Sequence, residues 1–158
     1  IQQAPITAPA AVEHIKAIAP AHDRTVPTPQ AEGSTPPLED IFFDYDQALV
    51  RPDAIAALKT NLQWLTQHPA ATVLIEGHCD ERGSVEYNLG LGQRRAEAAA
   101  DYLVKAGMTP GRLAVHSYGK ELPFAIGHDE SAWRLNRRAH FRLVQGQGLA
   151  IIPFIQAK

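Results

Sequence analysis

The sequence predicts an α+β or α/β sandwich in which helices pack on a mixed sheet. Three observations lead there. From Leu38 onward, short apolar runs of strand length alternate with longer stretches whose apolar residues recur every three or four positions. Their order is β-α-β-α-β, then a short helix and a last β. Turn signals, such as His68-Pro69, Gly77 and Gly107, separate them.

The elements follow in order. Ile41-Phe42-Phe43 reads as a short buried strand. Pro52 suits the first turn of a helix, and Ile55, Leu58, Leu62 and Leu65 give that helix one apolar stripe. His68-Pro69 ends it. Residues 72–76 form a second strand, closed by Gly77, and a polar loop runs from His78 to about Glu86. A second helix extends from about Tyr87 to Ala106, with Gly107 as its C-terminal stop. Residues 113–118 form a third strand, and a short helix lies near 131–136. The last strand begins at Arg138 and places Ala139, Phe141 and Leu143 on one face.

Composition divides the 158 residues unequally. Seven of the 12 prolines fall in 1–37 with a single glycine, Gly33, which predicts an extended, fairly stiff arm. Val12 to Ile18 is long enough for one or two helical turns, marginal in isolation. Residues 38–145 form the folded domain, and 146–158, with an apolar LAIIPFI run, form a tail to which the pattern assigns no role. The net charge of −2 argues against a nucleic-acid partner. One cysteine excludes an intramolecular disulfide and a zinc site built on several thiolates. No apolar run approaches the ~18–20 residues that span a bilayer, and the first residues lack the pattern of a signal peptide.

The informative anomaly lies in the second helix. With Leu91 as origin and about 100° per residue, Ala98, Tyr102, Ala106 and Ala99 define an apolar arc from roughly 340° to 80°. Arg95 falls inside it, at about 40°, whereas Arg94, Glu97, Asp101 and Lys105 fall on the charged side. An arginine on an apolar face must be paired or must snorkel. The source of a partner is the loop before the helix, with Asp80. Two readings are open: a buried Asp80–Arg95 ion pair, or two groups that both face a charged ligand. A ligand suited to both is a small zwitterion, its carboxylate on the guanidinium fork and its ammonium on Asp80.

Other chemistry finds less support. His78-Cys79-Asp80 lacks a second His/Cys pair at metal-ligand spacing. Asp80-Glu81 lacks the separated second carboxylate of a glycosidase. Gly90-Leu91-Gly92-Gln93-Arg94-Arg95 sits in a helical pattern without the Lys-Ser/Thr of a phosphate loop. Arg134, Arg137, Arg138 and Arg142 read as a solvated or carboxylate-paired surface.

Gly77-His78-Cys79-Asp80-Glu81-Arg82-Gly83, followed by Glu86-Tyr87-Asn88, Leu91-Gly92 and Arg94-Arg95-Ala96, resembles the signature of the OmpA-like C-terminal domain family, in its branch of peptidoglycan-associated lipoproteins. Phe42 to Asp46, Ser117 to Lys120, Gly127 to Glu130 and Asn136 to Ala139 extend the likeness over roughly 38–145. The resemblance implies a β-α-β-α-β-(α)-β sandwich with a four-stranded mixed sheet. It also implies a non-enzymatic domain, without cofactor, that binds peptidoglycan through the diaminopimelate of its stem peptide. Asp80 and Arg95 are then the principal ligand pair, Asp46 a further contact, and Asn88 and Leu91 lining residues; Tyr87 and Asn88 also have structural readings. Replacing Asp80 or Arg95 by Ala is expected to abolish binding and leave the fold intact. The implied place is the periplasmic side of the outer membrane, and a TolB-like β-propeller is the implied protein partner. Two departures stand out. Cys79 takes a position where the family more often has Ala or Thr, as a small buried filler. Lipidated members begin with an acylated Cys whereas this chain begins with Ile1, so either the native chain starts upstream or it is not lipidated; membrane association would come only through that anchor.

Overall fold

The computed structural model describes residues 38–144. The expected arm over 1–37, with its short helical turn, and the expected tail over 146–158 lie outside the described residues. The elements are β1 (Ile41–Phe42), α1 (Pro52–Gln67), β2 (Thr72–His78), α2 (Val85–Lys105), a 3-10 turn (Pro110–Arg112), β3 (Leu113–Gly119), α3 (Glu130–Asn136) and β4 (Arg138–Val144). The sheet order is β1-β4-β2-β3, with β2 and β3 parallel and the other two pairings antiparallel. The mixed sheet and the element order are those the sequence predicts.

Strand alternation sends Val73 and Ile75 of β2, Leu113 of β3 and Ala139 and Phe141 of β4 toward the helices. There they join Leu58 and Leu65 of α1 and Ala96, Ala99, Ala100 and Leu103 of α2 in one core. The α1 stripe is rotated from its expected centre: Ile55 and Leu62 are half-buried, while Asn61 is fully buried. Asn61 sits there because its amide pairs with both backbone groups of one residue, accepting from Glu39 N at 2.8 Å and donating to Glu39 O at 2.9 Å. That clamp satisfies the polar group and ties the entry of β1 to α1.

Two boundaries move. β2 runs through Gly77 to His78 instead of closing at Gly77. α2 starts at Val85, two residues before its expected start, because Ser84 caps it: the Ser84 hydroxyl accepts from Tyr87 N at 3.1 Å. Gly107, at φ +113°, is the expected stop. Gly92 faces Gly77, and a Cβ built on Gly77 would lie 1.8 Å from Gly92 O. This pair of glycines lets α2 approach β2 backbone to backbone. Gly90 needs no such freedom, since its nearest neighbour would be the Arg94 side chain at 3.6 Å.

The opposite sheet face is charged. Glu76, 4% exposed, accepts from Arg142 Nε at 2.8 Å. Burial raises the Glu76 carboxyl, but the neighbouring His78 and Arg142 outweigh it and hold it at about 2. With an unfolded value near 4.5, its contribution is present above that pH and is lost as pH falls from 4.5 toward 2. The shift corresponds to about 3 kcal/mol. Urea melts of Glu76→Gln should therefore show a lower midpoint at pH 7 and a weaker loss of stability on acidification than the wild type. Parallel acid limbs for the two proteins would refute this.

Candidate functional site

Three segments converge at the C-terminal end of β2. The turn after β2 supplies Cys79, Asp80 and Arg82, the N-terminal half of α2 supplies Tyr87, Asn88, Leu91 and Arg95, and the loop after β1 supplies Tyr45 and Asp46. Together with Gly83 they line a small cleft of about 50 Å³. The structure thus gathers all five residues singled out in the sequence, Asp46, Asp80, Asn88, Leu91 and Arg95, in one place.

Arg95 is fully buried, as its place on the apolar arc requires. Its partners are not carboxylates. Nε donates to Gln47 O at 2.7 Å, Nη1 to His78 O at 2.9 Å and Nη2 to Asp44 O at 3.0 Å. Three of five N–H groups thereby stitch the β1–α1 loop to the end of β2, and the guanidinium also lies against the Cys79 sulfur. The buried Asp80–Arg95 ion pair is not formed. Because Arg95 holds three carbonyls, its replacement by Ala will not leave the fold untouched, contrary to the sequence-based expectation.

Asp80 is 4% exposed and bound by other cations. Oδ1 accepts from Arg82 N at 3.0 Å and Arg82 Nε at 3.2 Å; Oδ2 accepts from Arg82 Nη2 at 2.8 Å and Arg137 Nη1 at 3.4 Å. Burial raises the Asp80 carboxyl, but the Arg82 and Arg137 hydrogen bonds prevail and keep it below its ordinary value. Arg137 is itself buried, with Nε on Phe43 O at 2.8 Å and Nη2 on Glu130 at 2.6 Å. Arg138 is buried too and lies 3.3 Å from Asp40. The carboxylate pairing expected of the arginine cluster is present for Arg137 and Arg138, but their surface placement is not, because α3 and β4 fold them inward.

Asp46 stands at φ +56° and accepts a hydrogen bond from the Tyr87 hydroxyl. Asn88 spends both amide N–H groups on the loop, donating to Arg82 O and Ser84 O at 2.8 Å each. It lines the cleft while holding the turn that carries Asp80. Leu91 is buried and forms apolar floor. Cys79 is buried with Sγ 3.3 Å from Asn88 O, and burial pushes its thiol up to about 11. It is a protonated filler, unsuited to nucleophilic attack at neutral pH. Glu81 turns away from Asp80 toward Trp133 Nε1 at 3.0 Å and His128 Nδ1 at 2.9 Å, so the adjacent carboxylates do not converge. Among the described residues, no group of three or more His, Cys, Asp or Glu is placed to hold a metal.

Sequence reasoning missed Arg82, Arg137 and the aromatic pair Tyr45 and Trp133. Arg82 lies inside the motif between Gly77 and Gly83, but its guanidinium position depends on rings from two distant segments, 3.9 Å from the centroids of both Tyr45 and Trp133.

Comparison with known proteins places the domain in a known family. The profile of the OmpA family matches residues 42–137. The peptidoglycan-associated lipoprotein of Mesorhizobium japonicum is 52% identical over 99 residues, which cover 63% of this chain and 59% of that protein. The protein of the same name from Pseudomonas aeruginosa is 46% identical over 101 residues, covering 64% and 60%. The match therefore spans less than two-thirds of these relatives' own length. Among solved structures, the peptidoglycan-associated lipoprotein from Burkholderia pseudomallei superposes with TM-score 0.66 at 40% identity, covering 72% of this chain and 97% of that one. The C-terminal domain of Helicobacter pylori MotB shares the fold at TM-score 0.62 and 17% identity, covering 68% and 85%.

Proposed function

Because this chain belongs to the OmpA family, we propose that its cleft binds peptidoglycan non-covalently, through the zwitterionic end of the diaminopimelate in the stem peptide. The observation that carries this is Arg95. A buried guanidinium that lines the cleft, hydrogen-bonded to three carbonyls and to no carboxylate, leaves two N–H groups that meet no oxygen. A planar carboxylate answers both. Asp80 lies in the same cleft to answer the ammonium on the same carbon. The function is tethering: the domain holds the outer membrane to the wall from the periplasmic side, within a Tol–Pal-type assembly, and breaks no bond. Relatives named as peptidoglycan-associated lipoproteins support the choice of ligand.

A shared role for the cleft rim is part of this proposal. Tyr45 and Tyr87 line the cleft and are both exposed. Exposed aromatics suit a protein contact, here a TolB-like β-propeller that would compete with wall fragments for the same place.

Asp80→Asn keeps the shape and removes the charge. Its pelleting with diaminopimelate-containing wall should weaken at least tenfold, on the order of 1.4 kcal/mol, measured at a temperature where circular dichroism shows variant and wild type both folded. Equal pelleting of variant and wild type would sink the assignment. Muropeptide release from the wall should stay at the level of a heat-killed control; release above it would favour an enzyme.

A further inference from the structure

We propose that Arg82 is an internal cation seated where the ligand's ammonium must go, and that ligand binding exchanges one for the other. This rests on the reading of the cleft given above.

A carboxylate offers about four lone-pair sites. On Asp80 all four are taken: two on Oδ1 by Arg82 N and Nε, two on Oδ2 by Arg82 Nη2 and Arg137 Nη1. An arriving ammonium finds no acceptor until one donor group leaves. Arg137 cannot be that group. Its side chain is 6% exposed and is fastened to Phe43 O and Glu130. The backbone N–H of Arg82 is fixed by the turn. The Arg82 guanidinium, whose side chain is 32% exposed, can swing into solvent and free two sites at once.

The exchange also balances charge. One cation replaces another beside a carboxylate that is almost wholly buried, so Asp80 never stands unpaired in the closed complex. A neutral group in the same place would leave it with Arg137, at 3.4 Å, as its one cation. Arg82 therefore sets the specificity of this corner: only a ligand that brings its own positive charge can open it. The guanidinium is held meanwhile between the rings of Tyr45 and Trp133, both 3.9 Å away, and Trp133 is in turn positioned by Glu81. Loosening either ring should ease the exchange without altering the charge at Asp80.

The experiment titrates wild type, Arg82→Ala and Trp133→Leu with free meso-diaminopimelate and with pimelate, the same carbon chain and carboxylates without the ammonium groups, followed by amide NMR shifts. Circular dichroism checks folding. Arg82→Ala should bind meso-diaminopimelate about tenfold tighter than wild type. Its preference over pimelate should widen, because an Asp80 without its guanidinium repels a ligand that is only anionic. Trp133→Leu should tighten binding by a smaller factor, and this arm stands even if Arg82→Ala fails to fold. Unchanged or weakened meso-diaminopimelate binding in both variants would overturn the exchange and make Arg82 a bystander or a direct contact, with the peptidoglycan reading intact. A wild type that binds neither meso-diaminopimelate nor whole wall would remove both.

Discussion

Arg95→Ala is expected to abolish binding to diaminopimelate-type wall and to destabilise the domain at the same time. The side chain donates to the carbonyls of Asp44, Gln47 and His78, which belong to two segments of the chain. Truncation leaves a cavity and removes three charge-assisted bonds, a loss on the order of 3–5 kcal/mol from a total stability of about 5–15 kcal/mol. Arg95→Lys separates the two effects. A lysine ammonium retains the charge and part of the carbonyl bonding but lacks the planar fork. Its urea midpoint should fall less than that of the alanine variant, while its affinity for meso-diaminopimelate should fall at least tenfold. Wild-type affinity in Arg95→Lys would show that the guanidinium is structural only.

Gly77→Ala should be more damaging than any other single methyl added to a described glycine. The new Cβ would lie 1.8 Å from Gly92 O and 2.5 Å from Gly92 C, both backbone atoms that cannot rotate away. α2 must lift from β2 or the strand must bend, and overpacking against backbone costs about 3 kcal/mol, the upper end of its usual range. Binding should be lost with it, because α2 carries Asn88, Leu91 and Arg95 while the end of β2 leads into Asp80. Gly111→Ala is the control: a Cβ there meets nothing within 4 Å, and its urea midpoint should be unchanged. A Gly77→Ala domain with a wild-type midpoint would mean that the helix–strand contact is softer than its geometry requires.

Much of the fold was legible because its causes are local. Pro52 at a helix start, Gly107 at a helix end and the alternation along β4 depend only on backbone conformation and on which neighbours share a face. The same locality made Arg95 conspicuous: helical period alone places it among Ala98, Ala99 and Tyr102. Where expectation and structure part, the cause is long-range. Gly77 looks like a strand terminator in one dimension, yet it is an interior strand residue that makes room for Gly92. The α1 stripe read from Ile55, Leu58, Leu62 and Leu65 is rotated in the structure, because Asn61 turns inward to clamp Glu39, 22 positions earlier. Arg137 looks like one of a basic surface cluster, yet it is buried against Phe43 and Glu130.

By itself, then, the sequence determined the succession of strands and helices, the anomalous arginine and the loop that accompanies it. Only the tertiary structure decided what each charge touches. Asp80 is not the partner of Arg95, although both line one cleft; it is held by Arg82 at its own turn and by Arg137, 57 residues away. The physical reason is the sheet order. β4 inserts between β1 and β2, and Arg137, the residue immediately before it, thereby reaches Asp80. Arg95 is turned toward the carbonyls of the β1–α1 loop and of His78. Local periodicity decides which face a side chain points to, and the pairing of strands far apart in the chain decides what is waiting there.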